Sequence, residues 1–178
     1  CGRFADGRTA TGELATRYIA DKSLIVRCGW MFGGGKKDKK FVGMIASQIR
    51  SGKKDFKIVN DKKGSLTYTR DLAVTLERLI DNNVVGDYNA VCGGMATRLD
   101  VAKVLIDFYD VKDYTLEEVS SAHFNNQFST NRANSEILDT SKLGRTGYSG
   151  MQHWRKAMSD YLGRQSKEIG DYFKEVKK

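Results

Sequence analysis

Proline is missing altogether from this chain of 178 residues, where a typical usage of about 5% would place about nine. No turn in it is therefore fixed by a pyrrolidine ring, a fact that bears on two loop motifs below. Cysteine is scarce: Cys1, Cys28 and Cys92 are scattered, odd in number and form no C-x-x-C. That set excludes a disulfide framework, points away from structural zinc, and indicates a reducing compartment, here expected to be the cytoplasm. Cys1 stands where an N-terminal nucleophile would, but an ordinary residue is the plainer reading. Histidine occurs only at His123 and His153, with no H-x-H or H-E-x-x-H spacing to seat a metal. No apolar run approaches the length of a membrane span and no signal peptide opens the chain, so no membrane partner is expected.

What is present is ordinary globular material. The sequence is 40% hydrophobic and 29% charged, enough for one domain with a real core. Thirty basic residues against 22 acidic ones leave a net charge of +8. Lysines cluster within 36–40, 53–57 and 62–63 and again at the C-terminus. Such a surface attracts phosphorylated ligands or nucleic acid, although a solvated lysine-rich face is the plainer reading. No recognition helix, zinc finger or RNP signature supports nucleic acid further.

The stretch "SLIVRCGWMFGGGKKDKKF", residues 23–41, invites comparison with a phosphate cradle, in which a strand feeds a glycine turn and a helix. The Walker pattern fails because Lys37 follows Gly35–Lys36 and Trp30 holds the place of the first glycine. The dinucleotide pattern G-x-G-x-x-G fails because Gly33, Gly34 and Gly35 are contiguous. Neither standard nucleotide loop is present.

Hydrophobic periodicity predicts alternating strands and helices. A short helix is expected over 12–20 with Leu14, Ala15 and Tyr18 on one face. Residues 23–32 read as one buried strand. Phe41, Met44, Ile45 and Ile49 fall at helical spacing, with Gly43 a weakness and Gly52 a C-cap. Residues 56–60 make a strand and 61–64 a turn. Thr69 is placed as the cap of a helix whose stripe is Leu72, Leu76, Leu79 and Ile80. A strand over 86–94 leads to Thr97, the cap of a helix with Asp100 at N3 and Val101, Leu105, Ile106 and Tyr109 inward. Residues 115–121 are a fourth strand, followed by a polar loop through Asn131. Ser149 opens a last core helix carrying Met151, Trp154, Met158 and Tyr161. A basic terminal helix over 163–178 carries Ile169, Phe173 and Val176. The order β-α-β-α-β-α-β-α specifies an α/β fold with a parallel sheet, and it starts abruptly on a hydrophobic strand, as if inside a domain.

Four segments in this order, "LIVRCGWMFGGG", "FKIVNDKKGSLTYTRDLA", "GDYNAVCGG" and "STNRANSEILDTSKLG", resemble the C-terminal half of dTDP-4-dehydrorhamnose reductase. That family consists of extended short-chain dehydrogenases that reduce a 4-keto sugar carried on a nucleotide. The resemblance runs over about 23–162 and implies the substrate-binding half of a partial Rossmann-like sheet with flanking helices. Residues 1–22 would be a poorly matched remnant of the catalytic segment. The resemblance puts the glycine turn at the C-terminal end of a sheet strand, where open α/β sheets bind ligands. Trp30 would then be an aromatic wall of a sugar-nucleotide cleft, although a plain core role suits Trp30 and Phe32 equally. Ser65 and Thr67 fall on the family's Ser-Pro-Thr loop. Arg132 and Ser135 fall on its Arg-Pro-x-x-Ser segment, in which the arginine binds the pyrophosphate; a guanidinium fork suits that task.

The departures are as informative. The family's NADPH-binding half and its glycine fingerprint have no counterpart, so no cofactor is expected for the isolated chain. With "GRT" aligned, Asp6 and Ala10 occupy the positions of the catalytic tyrosine and lysine, and neither performs that acid–base chemistry. Leu66 and Ala133 replace the loop prolines. The expected function is therefore binding of a nucleotide sugar or other phosphorylated ligand, without reductase activity. Two alternatives stand beside it. One is a small hydrolase of phosphate esters using His123 or His153 with Asp61, Asp71, Asp139 or Glu136; the other is a basic nucleic-acid-binding module. An unpaired apolar strand over 24–28 also leads to the expectation of a homodimer or larger, with Leu24 and Val26 near the contact.

Overall fold

The computed structural model describes residues 7–124 and 133–175. In chain order it contains α1 (Gly7–Ile19), β1 (Leu24–Arg27), β2 (Trp30–Phe32), α2 (Phe41–Arg50), β3 (Asp55–Val59), β4 (Lys63–Gly64), β5 (Leu66–Tyr68) and α3 (Thr69–Asp81). There follow β6 (Gly86–Asn89), β7 (Ala96–Thr97), α4 (Arg98–Phe108), β8 (Thr115–Val119), β9 (Ser135–Glu136), α5 (Ser141–Gly144) and α6 (Trp154–Glu175). Parallel pairs join β1 to β6, β2 to β5 and β3 to β8, while β4 lies between antiparallel β7 and parallel β9. The expected α/β class with parallel strands is what forms.

The single strand expected over 23–32 is two strands with different partners. The reason lies at Gly29, where a Cβ would stand 2.0 Å from the Ser65 carbonyl oxygen. Without one, the backbone closes in: the Trp30 N–H donates to the Ser65 carbonyl at 2.8 Å and the Gly29 N–H to Thr67 Oγ1 at 2.9 Å. The chain thus leaves β6 at Arg27 and joins β5 at Trp30.

The main core packs Phe32, Ile45, Phe56, Leu66, Leu105 and Met158 between the sheets and helices α2, α4 and α6. Phe32 stacks on Tyr68 at 5.2 Å between ring centroids, and both rings meet Tyr161. A smaller cluster gathers Leu79, Tyr88, Ala90 and Leu143, with Leu24 and Val26 half-buried against it. The capping box at α4 forms as its sequence indicates: the Asp100 N–H donates to Thr97 Oγ1 and the Thr97 N–H to the Asp100 carboxylate. Gly52 follows α2 at φ +83°. Gly43 is a close-approach residue, since a Cβ there would meet the Asp38 carbonyl oxygen at 1.9 Å.

Four details differ from the periodicity. The cap of α3 is Tyr68 rather than Thr69, and its buried face is Asp71, Thr75 and Leu79, with Ile80 exposed. The helix expected from Ser149 begins at Trp154. Its approach is tied down instead: Gly150 N–H donates to Thr75 Oγ1, Gln152 N–H to Asp71, and residues 93 and 152–154 exchange backbone bonds. The basic terminal helix is a continuation of α6; Ile169, Phe173 and Val176 have side chains outside the described residues. Lastly, Leu14 and Tyr18 of α1 do not face the core but are exposed.

What fastens α1 is charge. The Arg27 guanidinium donates to both Glu13 carboxylate oxygens, at 2.7 and 2.5 Å, and to Asp87 at 2.9 Å. Arg17 also reaches Glu13 and Asp87. The hydrogen bond from Arg27 holds Glu13 below its usual carboxylate value, and that from Arg17 does the same for Asp87. Depressed folded-state values mean that this stabilisation is complete above the ordinary carboxylate range near pH 4 and is lost as pH falls through the lowered values. Hydrogen exchange of α1 is accordingly expected to accelerate selectively below about pH 4, and Arg27→Met is expected to produce the same acceleration at pH 7. Uniform exchange behaviour of α1 and α4 across that pH range would show that the network does not hold α1.

Candidate functional site

The three-stranded β7-β4-β9 sheet gathers a group of side chains around Trp30. Lys63 lies opposite both Thr97 and Ser135, and Gly64 opposite Ala96 and Glu136. The Trp30 indole Nε1–H donates to the Glu136 carboxylate. Its ring rests on Gly64, where a Cβ would come within 2.5 Å of ring atoms. The Arg98 guanidinium carbon sits 4.7 Å from the Trp30 ring centroid and 4.9 Å from that of Phe41. Lys62 Nζ donates to Asn134 Oδ1 at 2.6 Å. Arg98 thus lies on a half-buried tryptophan whose neighbouring carboxylate is engaged by the indole, and Lys62 and Lys63 stand on the adjoining strand segment.

The residues singled out from sequence fall into three groups. Trp30 and the exposed Ser135 belong to this surface. Ser65 and Thr67 are buried beneath it, at 1% and 0% exposure. Ser65 Oγ accepts the Leu138 N–H at 3.1 Å, and Thr67 Oγ1 accepts the Gly29 N–H while donating to the Ala90 carbonyl. Both hydroxyls tie backbone segments together beneath Trp30. Arg132 lies outside the described residues, as do Asp6 and Cys1; Ala10 is exposed on α1. Arg98 and the Glu136–Trp30 bond were not singled out, although an arginine directly after the Thr97 cap is a visible oddity at the positive end of a helix.

The groups considered for hydrolysis do not converge. Asp61 accepts the amide and hydroxyl of Ser121; burial pushes its pKa up, but these two bonds and Lys62 prevail and leave it lowered. Asp71 accepts from Gln152, and Asp139 from Ser141. His123 stacks edge-on against Phe124, and His153 accepts the Arg155 N–H. Among the described residues no group of three or more His, Cys, Asp or Glu is placed to hold a metal. Burial pushes the Cys28 thiol up and that of Cys92 up to about 11, so neither is a thiolate at neutral pH. A groove of about 400 Å³ lies apart from Trp30, between the turn at Gly35 and the outer face of α2, lined by Asp38, Lys39, Ser47 and Arg50 among others. Among the described residues no helix is long and apolar enough to cross a membrane.

The fold is that of Rossmann-like reductases and epimerases. A dTDP-4-dehydrorhamnose reductase from Yersinia enterocolitica superposes with a TM-score of 0.80 at 28% identity, over 88% of this chain and 54% of that one. A UDP-N-acetylglucosamine 4-epimerase from Bacillus cereus shares the fold alone, with a TM-score of 0.64 at 17% identity, over 86% of this chain and 49% of that one. In sequence, the dTDP-4-dehydrorhamnose reductase of Mycobacterium tuberculosis is 28% identical over 162 residues, 90% of this chain and 52% of that protein. The model of the RmlD substrate binding domain matches residues 5–166. The chain belongs to that family, and it spans about half the length of the curated relatives it matches.

The frame can be tested through Thr67. Thr67→Val keeps the shape but strands the half-buried Gly29 N–H, so a loss of about 1–3 kcal/mol in unfolding free energy is expected by denaturant titration. An unchanged midpoint would mean that the hydroxyl does not hold β2 against β5.

Proposed function

We propose that the chain binds a nucleoside-diphosphate sugar, of the deoxythymidine type, in the cleft at Trp30. The observation that carries this is the cationic β7-β4-β9 surface around an indole fixed by Glu136 and Gly64, in a chain of the RmlD substrate-binding family. Trp30 supplies an aromatic wall, Lys63 and Ser135 line the approach, and Ser65 and Thr67 keep β2, β5 and the 136–138 segment in place. Arg132, in the segment just before β9, anchors the diphosphate through two N–H donors.

A nicotinamide dinucleotide does not fit the described residues. Its seat needs glycines spaced so that the backbone approaches the pyrophosphate at a helix start. Here the glycines are contiguous, a Cβ at Gly33 would meet Thr69 Oγ1 at 2.3 Å, and α2 begins only after Lys40. No hydride-transfer step is assigned to these residues. The chain's own contribution is to bind, orient and shield the sugar nucleotide.

Isothermal calorimetry with dTDP is expected to give saturable binding, weakened by about 1.5–3 kcal/mol in Arg132→Ala, the worth of a charged hydrogen bond. Arg132→Lys is expected to recover only part, since the paired geometry is lost. Absence of saturable binding at millimolar dTDP contradicts the proposal.

A further inference from the structure

We infer that Arg98 is a gate on the Trp30 surface: its guanidinium covers the ring on which a nucleobase would stack, and binding of the base displaces it. This rests on the nucleotide-sugar reading above. The guanidinium carbon lies over the Trp30 ring, 4.7 Å from its centroid, and over the Phe41 ring at 4.9 Å. The rest of the indole is engaged as well. Gly64 lies against its ring, Glu136 accepts its N–H, and its side packs against the main core. A base that stacks on Trp30 therefore takes the place of Arg98.

That place suits a flat group. A guanidinium is planar and delocalised, and it rests on aromatic rings through its flat side. A thymine base is flat too, whereas a sugar ring is puckered, so the two rings match the base of the nucleotide rather than its sugar. Stacking of a base on an aromatic side chain is at least as favourable as an exposed cation–π contact. The exchange of one for the other is therefore possible on energetic grounds.

Of the three side chains, Arg98 is the one able to move. Trp30 is fixed by Glu136 and Gly64, and Phe41 opens a helix whose Val42, Ile45 and Ile49 are buried. Arg98 is half-buried at the first position of α4. The helix is anchored without it, through the Thr97–Asp100 capping box and the buried Leu99, Val101, Leu105 and Ile106. Its long stem can rotate while the backbone stays in place. The positive end of the helix gives its charge no support. Arg98 is kept where it is by the two rings and by further interaction besides them. A site that is open for only part of the time binds with its affinity reduced by that fraction, so Arg98 weakens the hold on the base.

The test begins with the parent protein, titrated with dTDP while the Arg98 Cδ protons are followed by NMR. These protons are expected to start upfield, shifted by the two rings, and to reach the values of an exposed arginine along the curve that reports binding. Calorimetry then compares the parent with Arg98→Ala, using thymidine, dTDP and inorganic pyrophosphate, and thermal melting checks the fold. Arg98→Ala is expected to bind thymidine and dTDP about threefold tighter or more, and pyrophosphate within about twofold of the parent. Arg98 protons that stay ring-shifted at saturating dTDP overturn the gate. So does a folded Arg98→Ala that binds thymidine no more tightly than the parent. Either result leaves the nucleotide-sugar reading intact as long as the parent binds dTDP. If neither protein binds dTDP, both readings fail. Should Arg98→Ala not fold, the titration of the parent decides alone.

Discussion

Backbone at two glycines approaches its neighbours more closely than any side chain would permit, and the surface around Trp30 depends on that approach. At Gly29 the chain comes against the Ser65 carbonyl, and at Gly64 it comes against the Trp30 ring. The first contact lets β2 pair with β5 and so fixes where Trp30 begins. The second gives the indole a flat floor, and Glu136 then sets its in-plane orientation through Nε1. Arg98 and Phe41 stack on what these contacts have already fixed. An added methyl at either glycine would push β2 away from its neighbours and alter the surface around Trp30 before it altered the core.

The same economy appears in the polar residues. Asp71 and Thr75 sit on the buried face of α3, where an apolar stripe would be usual, and tie the 150–152 segment that leads into α6. Burial would be costly for these groups without partners; with them, the loop is brought to the core, where Met151 packs against both clusters. Tyr161, buried on α6 and close to the charge of Asp38, has its hydroxyl pushed up to about 12. It serves as a neutral hydrogen-bonding ring that joins Phe32 and Tyr68 to Gln165. Charge is used mainly at the other end of the molecule, where Arg27 and Arg17 hold α1 to β1 and β6.

Legibility in the sequence followed the range of the interaction. Local signals were readable: the Thr97–Asp100 capping box, the Gly52 turn, the strand over 56–60, and the inward stripe of Val101, Leu105 and Ile106. Contacts between distant residues were not. Periodicity shows an unbroken apolar run through residues 23–32 because nothing in that run records the approach of Ser65 from the far side of α2 and β3. It marks Ser65 and Thr67 as hydroxyls beside a cleft, without showing that each turns inward to a backbone group. Glu13 and Asp87 are 74 positions apart, so their shared arginines were invisible, and α1 was given an apolar face it does not bury. Arg98 was passed over because its significance lies in two rings, one 68 and the other 57 positions away.

The most direct measurement is NMR of the two tryptophan indole N–H groups during titration with dTDP. Trp30 is half-buried and bonded to Glu136, whereas Trp154 is 3% exposed in the core. A nucleotide diphosphate bound at the proposed place shifts the Trp30 indole resonance along a saturable curve and leaves that of Trp154 where it was. A Trp30 resonance that stays fixed while dTDP binds elsewhere on the protein would contradict the account.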